Sequence, residues 1–298
     1  MDAPDDLLQQ RVTALLRKTP VAWQRAHGGY TPAERWIASF ADGTSCFVKS
    51  AAATPASPMD QWLRSEYDVY SRLHAPFLPR LLGWDDDGIQ PILVLEDLSA
   101  GFWPPPWTAQ RIDAVLQTLS DLRATRLDGL PPTRLLDPDL TGHWSEVELD
   151  ARPFLSLGLC SAGWLKAALP ALIAAARRAE LSGDDLVHFD VRSDNLCFIG
   201  ERVLLVDWNF ASRGNGDIDR AGWAPSLHSE GGPPPEALLP DAPQWAATIS
   251  GFFAARAGRP PIPNAPRVRQ VQLSQLRSAL PWAVRALALP PLDGPNAP

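Results

Sequence analysis

The hydrophobic pattern changes character near residue 98, and that change constrains the fold more than any other feature of the chain. Before it, runs rich in β-branched and aromatic residues alternate with turn signals. RAHGGYTPAERWIASFADGTSCFVKS reads as a strand, a Gly-containing turn, a strand over 35–40, a tight Ala41-Asp42-Gly43 turn and a strand over 44–49. Asp-Gly between two β-rich runs is a strong hairpin signal. LPRLLGWDDDGIQPILVLEDL adds two strands around Asp-Asp-Gly. One helix over 60–74, with Leu63, Tyr67, Tyr70 and Leu73 on one face, is inserted after the third strand. A short amphipathic helix over 5–18 leads the chain, acids early and bases late, as the helix dipole favours.

Past Leu98 the spacing predicts helices over 108–127, opened by a Thr108 cap, over 162–181 with Pro170 as a kink, and over 241–257 and 266–288. Two short strands, 196–199 and 203–207, are joined by Gly200-Glu201, and the last ten residues read as a tail. No internal repeat is present. The expectation is an α+β chain of two lobes, β-rich over 1–98 and mostly helical over 99–298.

Composition narrows the function. The 298 residues are enough for one large domain or two lobes, and 45% hydrophobic with 20% charged residues is the balance of a globular chain. A net charge of −7 argues against a binder of phosphate backbones, so no nucleic-acid partner is expected. No apolar run reaches the roughly 18 residues of a membrane span, and the acidic, polar N-terminus does not read as a signal peptide. Cys46, Cys160 and Cys197 are scattered and form no C-x-x-C pair, which fits a reducing cytoplasm rather than a disulfide or zinc framework. The 31 prolines cluster in loops and tail; the 12 tryptophans suit either a core or a pocket wall.

Residues 186–212, LVHFDVRSDNLCFIGERVLLVDWNFAS, carry the chemistry. His188-x-Asp190 is followed by Asn195 and then, at the end of the apolar run 203–206, by Asp207. Mg²⁺ takes hard oxygen ligands, usually one or two carboxylates completed by phosphates and water. An amide at Asn195 and a carboxylate at Asp207 meet that need, and Asp190 is a free carboxylate able to accept the proton of an attacking hydroxyl. Asp and Asn are also ordinary turn residues, so this segment alone leaves a purely structural reading open.

The H-x-D-x-x-x-x-N segment with its following D-W resembles the catalytic segment of the aminoglycoside phosphotransferase and choline kinase family, a small-molecule branch of the protein-kinase-like fold. Upstream residues agree in order. Lys49 ends the third strand where the family has its phosphate-binding lysine. Glu66 stands on the next helix where the family has that lysine's partner. Leu93 to Leu98, including Glu96, resembles the hinge that receives adenine. The resemblance covers about residues 20–225. It implies a bilobal kinase-like fold with a nucleotide-binding lobe over 1–98, and a helical lobe over 99–298 with catalytic loop, metal site and acceptor pocket. It implies ATP (or GTP) and Mg²⁺ as cofactors, with Asp190 and Arg192 catalytic. Lys49, Glu66, Gly28, Gly29, Glu96 and Leu98 would sit around the nucleotide, with Asn195 and Asp207 on the metal.

The chain departs from the family at several points. Gly28-Gly29-Tyr30-Thr31 stands where protein kinases carry G-x-G-x-x-G. Trp208-Asn209 stands where relatives often have Trp-Glu, and Phe189 where many have Gly. Arg192 either stabilises the transferring phosphoryl group or pairs with Asp194 or Asp217. By the resemblance Asp219 supports the catalytic-loop backbone. His188 braces the same loop.

The implied activity is transfer of a γ-phosphate to a hydroxyl of a small molecule, such as an aminoglycoside or nucleoside-type antibiotic; the alternatives are a metabolic kinase for an amino alcohol or sugar, and a nucleotide-binding protein without catalysis. A protein kinase is disfavoured because no A-P-E-like anchor follows Asp207. A metal hydrolase would need more His ligands than this chain's five, none in H-x-x-x-H spacing. For the acceptor, Asp137, Asp139, Glu146, Glu148 and Asp150 with Trp144 suggest an acidic, aromatic wall, or simply a solvated face. The segment 223–236 is a further candidate to border the acceptor, and Trp103 and Trp107 to cover the cleft entrance, or all of them serve packing. Monomer and dimer are not distinguished by sequence.

Overall fold

The computed structural model describes residues 3–26, 33–51, 58–263 and 265–298. Gly28 and Gly29 lie outside them. The chain forms two compact units, Met1–Pro104 with Asp194–Ala211, and Pro105–Ser193 with Ser212–Pro298.

The first unit is built on a five-stranded antiparallel sheet, preceded by helix α1 (Asp6–Leu16). Its strands are β1 (Ala22–Arg25), β2 (Glu34–Ser39), β3 (Ser45–Ser50), β4 (Leu81–Asp85) and β5 (Ile92–Glu96), in spatial order β1-β2-β3-β5-β4. Helix α2 (Pro58–Arg72) follows β3, as expected. Asp5 caps α1 by accepting the Leu8 N–H at 2.8 Å. Leu8 and Val12 then bury against Trp36, Ala38, Cys46 and Val48, one face of β2 and β3. Each such side chain contributes about 1.5–3 kcal/mol on leaving water. Strand alternation turns Arg35, Ile37, Phe47 and Lys49 to the other face. The Asp-Gly hairpin forms as read: Gly43 takes φ +81°, and Asp42 accepts the Thr44 N–H at 3.1 Å.

A second hairpin, residues 196–199 against 202–205, belongs to this first unit although it lies far beyond residue 98 in sequence. Non-local packing explains that. Phe102 and Phe198 exchange backbone hydrogen bonds, Leu98 packs with Cys197 and Leu204, and the Leu205 N–H reaches the Phe77 carbonyl at 2.8 Å. The second strand is shorter than the expected 203–207, because the chain leaves extended backbone and Asp207 adopts a left-handed conformation, φ 68° and ψ 57°.

The second unit is mainly helical: α3 (Ala109–Ala124), α4 (His143–Leu149), α5 (Arg152–Leu155), α6 (Ala162–Ala176), α7 (Asp217–Ser229), α8 (Pro235–Leu238), α9 (Pro243–Ala257) and α10 (Val268–Ala286). The short strands β6 (Asp185–Val187) and β9 (Ser212–Gly214) pair antiparallel; the hairpin of the first unit supplies β7 (Leu196–Ile199) and β8 (Arg202–Leu205). Thr108 caps α3 as predicted, accepting from the Arg111 N–H. Helix α6 runs through Pro170 but stops at Ala176, short of 181, where the chain tightens into i to i−3 hydrogen bonds at Arg178 and Ala179. Helix α9 is buried along nearly its whole length. Its small residues admit the Trp144 indole, which donates to the Ala247 carbonyl at 2.8 Å and lies so close that a Cβ on Gly251 would come 2.7 Å from it.

The C-terminal ten residues are not a loose tail. Asp293 accepts from the backbone N–H and the hydroxyl of Ser161, both at 2.6 Å, at the start of α6, and Trp164 donates to the Pro290 carbonyl at 2.9 Å.

Two helical glycines separate helix propensity from close packing. Gly222 in α7 has open space around a Cβ, so Gly222→Ala raises stability by about 0.5–1 kcal/mol. Gly251→Ala gains the same propensity but drives into Trp144, and overpacking of about 1–3 kcal/mol outweighs it. Urea melts of the two variants should move in opposite directions.

Candidate active site

The sequence-predicted residues form two clusters, one in each unit. In the first, β3 delivers Lys49 and the middle of α2 delivers Glu66. The β7–β8 hairpin, with Leu196 opposite Leu205, brings Asn195 and Asp207 to the same end, where the Val206 N–H donates to the Asn195 carbonyl at 3.0 Å. Lys49 Nζ lies 2.6 Å from Glu66 Oε2 and 2.6 Å from Asp207 Oδ1. Lys49 is 6% exposed and Glu66 2%. Desolvation alone would pull the ammonium pKa down; two carboxylates at this distance outweigh it and hold Lys49 above its ordinary value, protonated.

The local sequence explains why Asp207 stays in place. The Trp208 ring is fully buried, stacks on Phe77 and donates to the Leu205 carbonyl at 2.8 Å. Phe210 meets Trp62 of α2 edge to face. One helical turn beyond Glu66, Tyr70 is buried, and burial beside Glu66 and Asp207 pushes its phenol well above the ordinary range. Asn209 buries its amide oxygen with no partner among the described residues.

In the hinge segment, the Glu96 carboxylate accepts the Arg80 N–H at 3.1 Å and faces Arg202 at 3.6 Å, and its own N–H goes to the Arg80 carbonyl. Glu96 therefore ties β5 to its neighbours. Asp97 accepts from the Ser45 hydroxyl at 2.5 Å and the Ser99 N–H at 2.9 Å, which sets the bend. Leu98 is buried beside Cys197 and Leu204. Gly28 and Gly29, the expected phosphate loop, lie outside the described residues.

In the second cluster, β6 leads into His188, which is fully buried. Asp219, in the first turn of α7, accepts the backbone N–H of His188 at 2.8 Å and of Phe189 at 2.7 Å. Phe189 has φ 69°, the left-handed region where a glycine costs nothing and an L-residue costs about 1–2 kcal/mol. The two bonds to Asp219 hold that conformation and set the direction of Asp190. The Asp190 N–H donates to His188 Nδ1 at 3.3 Å. Arg192 Nε lies 3.4 Å from Asp190 Oδ1, and Asp217 is engaged by Arg123 at 2.6 Å. Glu230 accepts from the Ser193 hydroxyl at 2.6 Å and from the Trp107 indole at 2.8 Å, tethering the segment after Asp190 to the one that follows Pro104-Pro105-Pro106.

Of the acidic residues considered for an acceptor wall, Asp139, Glu148 and Asp150 are exposed, and two others are paired within the unit. Trp144 is core, and Asp137 and Glu146 bracket the buried His143 at 3.0 and 2.5 Å while Arg256 and Arg259 neutralise them.

Asn195 and Asp207 suit a hard cation: one amide and one carboxylate, as for Mg²⁺ completed by phosphate oxygens and water. No cluster of three or more His, Cys, Asp or Glu that could hold a metal on protein ligands alone occurs among the described residues.

Comparison with solved structures bears on the fold. A protein assigned as a fructosamine-3-kinase from Thermobifida fusca superposes with a TM-score of 0.55 at 17% identity, covering 93% of this chain and 100% of that one. The fold is that of the small-molecule kinases. An amicoumacin kinase, solved with AMP-PNP, Ca²⁺ and Ami, matches with a TM-score of 0.54 at 11% identity over 96% of this chain and 92% of its own. A macrolide 2′-phosphotransferase from Brachybacterium faecium matches with a TM-score of 0.51 at 14% identity, over 95% and 93%. No sequence-family pattern and no curated protein sequence matches this chain. The expected kinase-like α+β class is thus borne out at the level of fold.

Burial pushes the Asp219 carboxyl up to about 7 against the opposing pull of its two backbone donors. A carboxyl with a raised folded-state pKa contributes stability that is present below its unfolded value near 4 and is lost as pH rises through 7. Three units correspond to about 4 kcal/mol. Denaturation midpoints of the wild type should therefore fall between about pH 4 and pH 7 more steeply than those of Asp219→Asn, whose amide does not titrate.

Proposed function

We propose that the chain is a Mg²⁺- and ATP-dependent phosphotransferase that moves the γ-phosphate to a hydroxyl of a small molecule; GTP is the other candidate donor. The observation that carries this reading is Lys49 held at 2.6 Å by both Glu66 and Asp207, in a fold shared with small-molecule kinases. In this reading Lys49 binds the α- and β-phosphates, Glu66 fixes it, and Glu96 to Leu98 frame the adenine. Asn195 and Asp207 hold the cation, which when bound neutralises phosphate charge. Asp190 orients the acceptor hydroxyl and takes its proton, while Arg192 keeps the Asp190 carboxylate aligned and offers positive charge to the transferring group. Most of the rate then comes from positioning and electrostatics.

The acceptor class follows less directly. Two of the three kinases named above are named for antibiotics, which favours an antibiotic acceptor, whether aminoglycoside or nucleoside-type, over a metabolic sugar or amino alcohol. A cytoplasmic setting is supported by three free, buried cysteines. No helix among the described residues is long and apolar enough to cross a membrane. Neither a nucleic-acid nor a membrane partner is proposed.

The test is Mg²⁺-dependent ADP release against a panel of aminoglycosides, nucleoside antibiotics, macrolides, choline and sugars, with mass spectrometry of each product. Asp190→Ala should lower kcat by about 10²–10⁴-fold while leaving the ATP Kd unchanged. Wild-type turnover by that variant would remove Asp190 from its role. Lys49→Met should instead weaken ATP binding, because it removes the cation and leaves Glu66 buried beside Asp207 with repulsion between them.

A further inference from the structure

The nucleotide cluster contains a second cation that sequence reasoning passed over. In the register of β2 against β3, Arg35 is directly opposite Lys49. Cross-strand partners have Cβ atoms about 4.5–5.5 Å apart and share a face of the sheet. The opposite face is occupied by Trp36, Ala38, Cys46 and Val48 packing on α1, so Arg35 and Lys49 project together to the side of Glu66 and Asp207. One arm of the guanidinium donates to the Ala33 carbonyl at 3.0 Å, which anchors the side chain at the strand's beginning. Burial lowers the Arg35 pKa, and the charges of Asp207 and Glu66 oppose that, so the guanidinium is electrostatically part of their cluster.

Charge counting gives this arrangement a purpose. Lys49 and Arg35 balance Glu66 and Asp207, and the cluster is neutral at rest. Asp207, in holding a divalent cation, would give up part of its pairing with Lys49 and Arg35, and those two cations would then match the charge of a polyphosphate. A guanidinium presents a planar fork that suits two phosphate oxygens, whereas an ammonium acts as a point charge. Resting on the nucleotide reading above, we propose that Arg35 is a second phosphate-binding residue of the nucleotide site, paired with Lys49 across the β2–β3 strands and selective for nucleoside di- and triphosphates over nucleosides.

The experiment is calorimetric binding of ATP, ADP, AMP and adenosine, with Mg²⁺, to the full-length wild type, Arg35→Lys and Arg35→Met. Loss of a charge-assisted phosphate contact should weaken ATP and ADP by about 10- to 100-fold in Arg35→Met and leave adenosine unchanged. Arg35→Lys, which keeps the charge without the fork, should fall between. ATP affinity equal to wild type in a folded Arg35→Met would overturn the proposal. So would an equal loss for ATP and adenosine, or a collapsed melting temperature in both variants, since either assigns Arg35 to structure. A wild type that binds ATP no better than adenosine would overturn the nucleotide reading itself, and this proposal with it.

Discussion

An ammonium with almost no access to water is held between two carboxylates, and the first unit is arranged around that triad. Lys49 is contributed by the sheet, Glu66 by the inserted helix and Asp207 by a hairpin more than a hundred residues away. Each charge is costly to bury alone, and removing one partner of such a group typically costs about 3–5 kcal/mol. The triad is therefore stable only if all three elements dock. The surrounding aromatics accomplish that: Trp208 on Phe77, Phe210 on Trp62, and Tyr67 stacked on Trp84 at 4.2 Å. Electrostatics sets what the cluster can bind, and apolar packing supplies the free energy that keeps it assembled.

The second unit meets a comparable constraint with a single buried carboxylate. Asp219 spends both oxygens on the backbone of His188 and Phe189 and so fixes the turn that presents Asp190. That a phenylalanine tolerates a left-handed backbone there follows from those two bonds, since local strain persists where surrounding structure over-determines it. Glu230 extends the support to Ser193 and Trp107. Main-chain anchoring thereby supports Asp190, and its carboxylate has Arg192 as a cationic neighbour.

The kinases that share this fold are named for different acceptors, a fructosamine, amicoumacin and a macrolide. One architecture thus serves several small molecules, and acceptor identity resides in side chains rather than topology. In this chain two of the acidic residues considered for a cationic acceptor, Asp137 and Glu146, are engaged around His143 and the two arginines Arg256 and Arg259.

Sequence alone was enough for whatever depends on local spacing or on motif order. Strand alternation, the Asp42-Gly43 hairpin and the Thr108 cap depend on a few neighbouring residues, and all three formed. The order Lys49, Glu66, hinge, Asp190, Asn195, Asp207 was legible because each stands in a short recognisable setting. Tertiary structure decided the rest. Which strand position faces Lys49, and hence that Arg35 lies beside it, depends on register between strands separated by a turn of variable length. That 194–211 belongs with the first unit, that Asp293 clasps the start of α6, and that Trp144 is core rather than pocket wall all follow from contacts between residues distant in sequence. Local periodicity reports which face of an element is apolar; only the packed chain determines what that face meets.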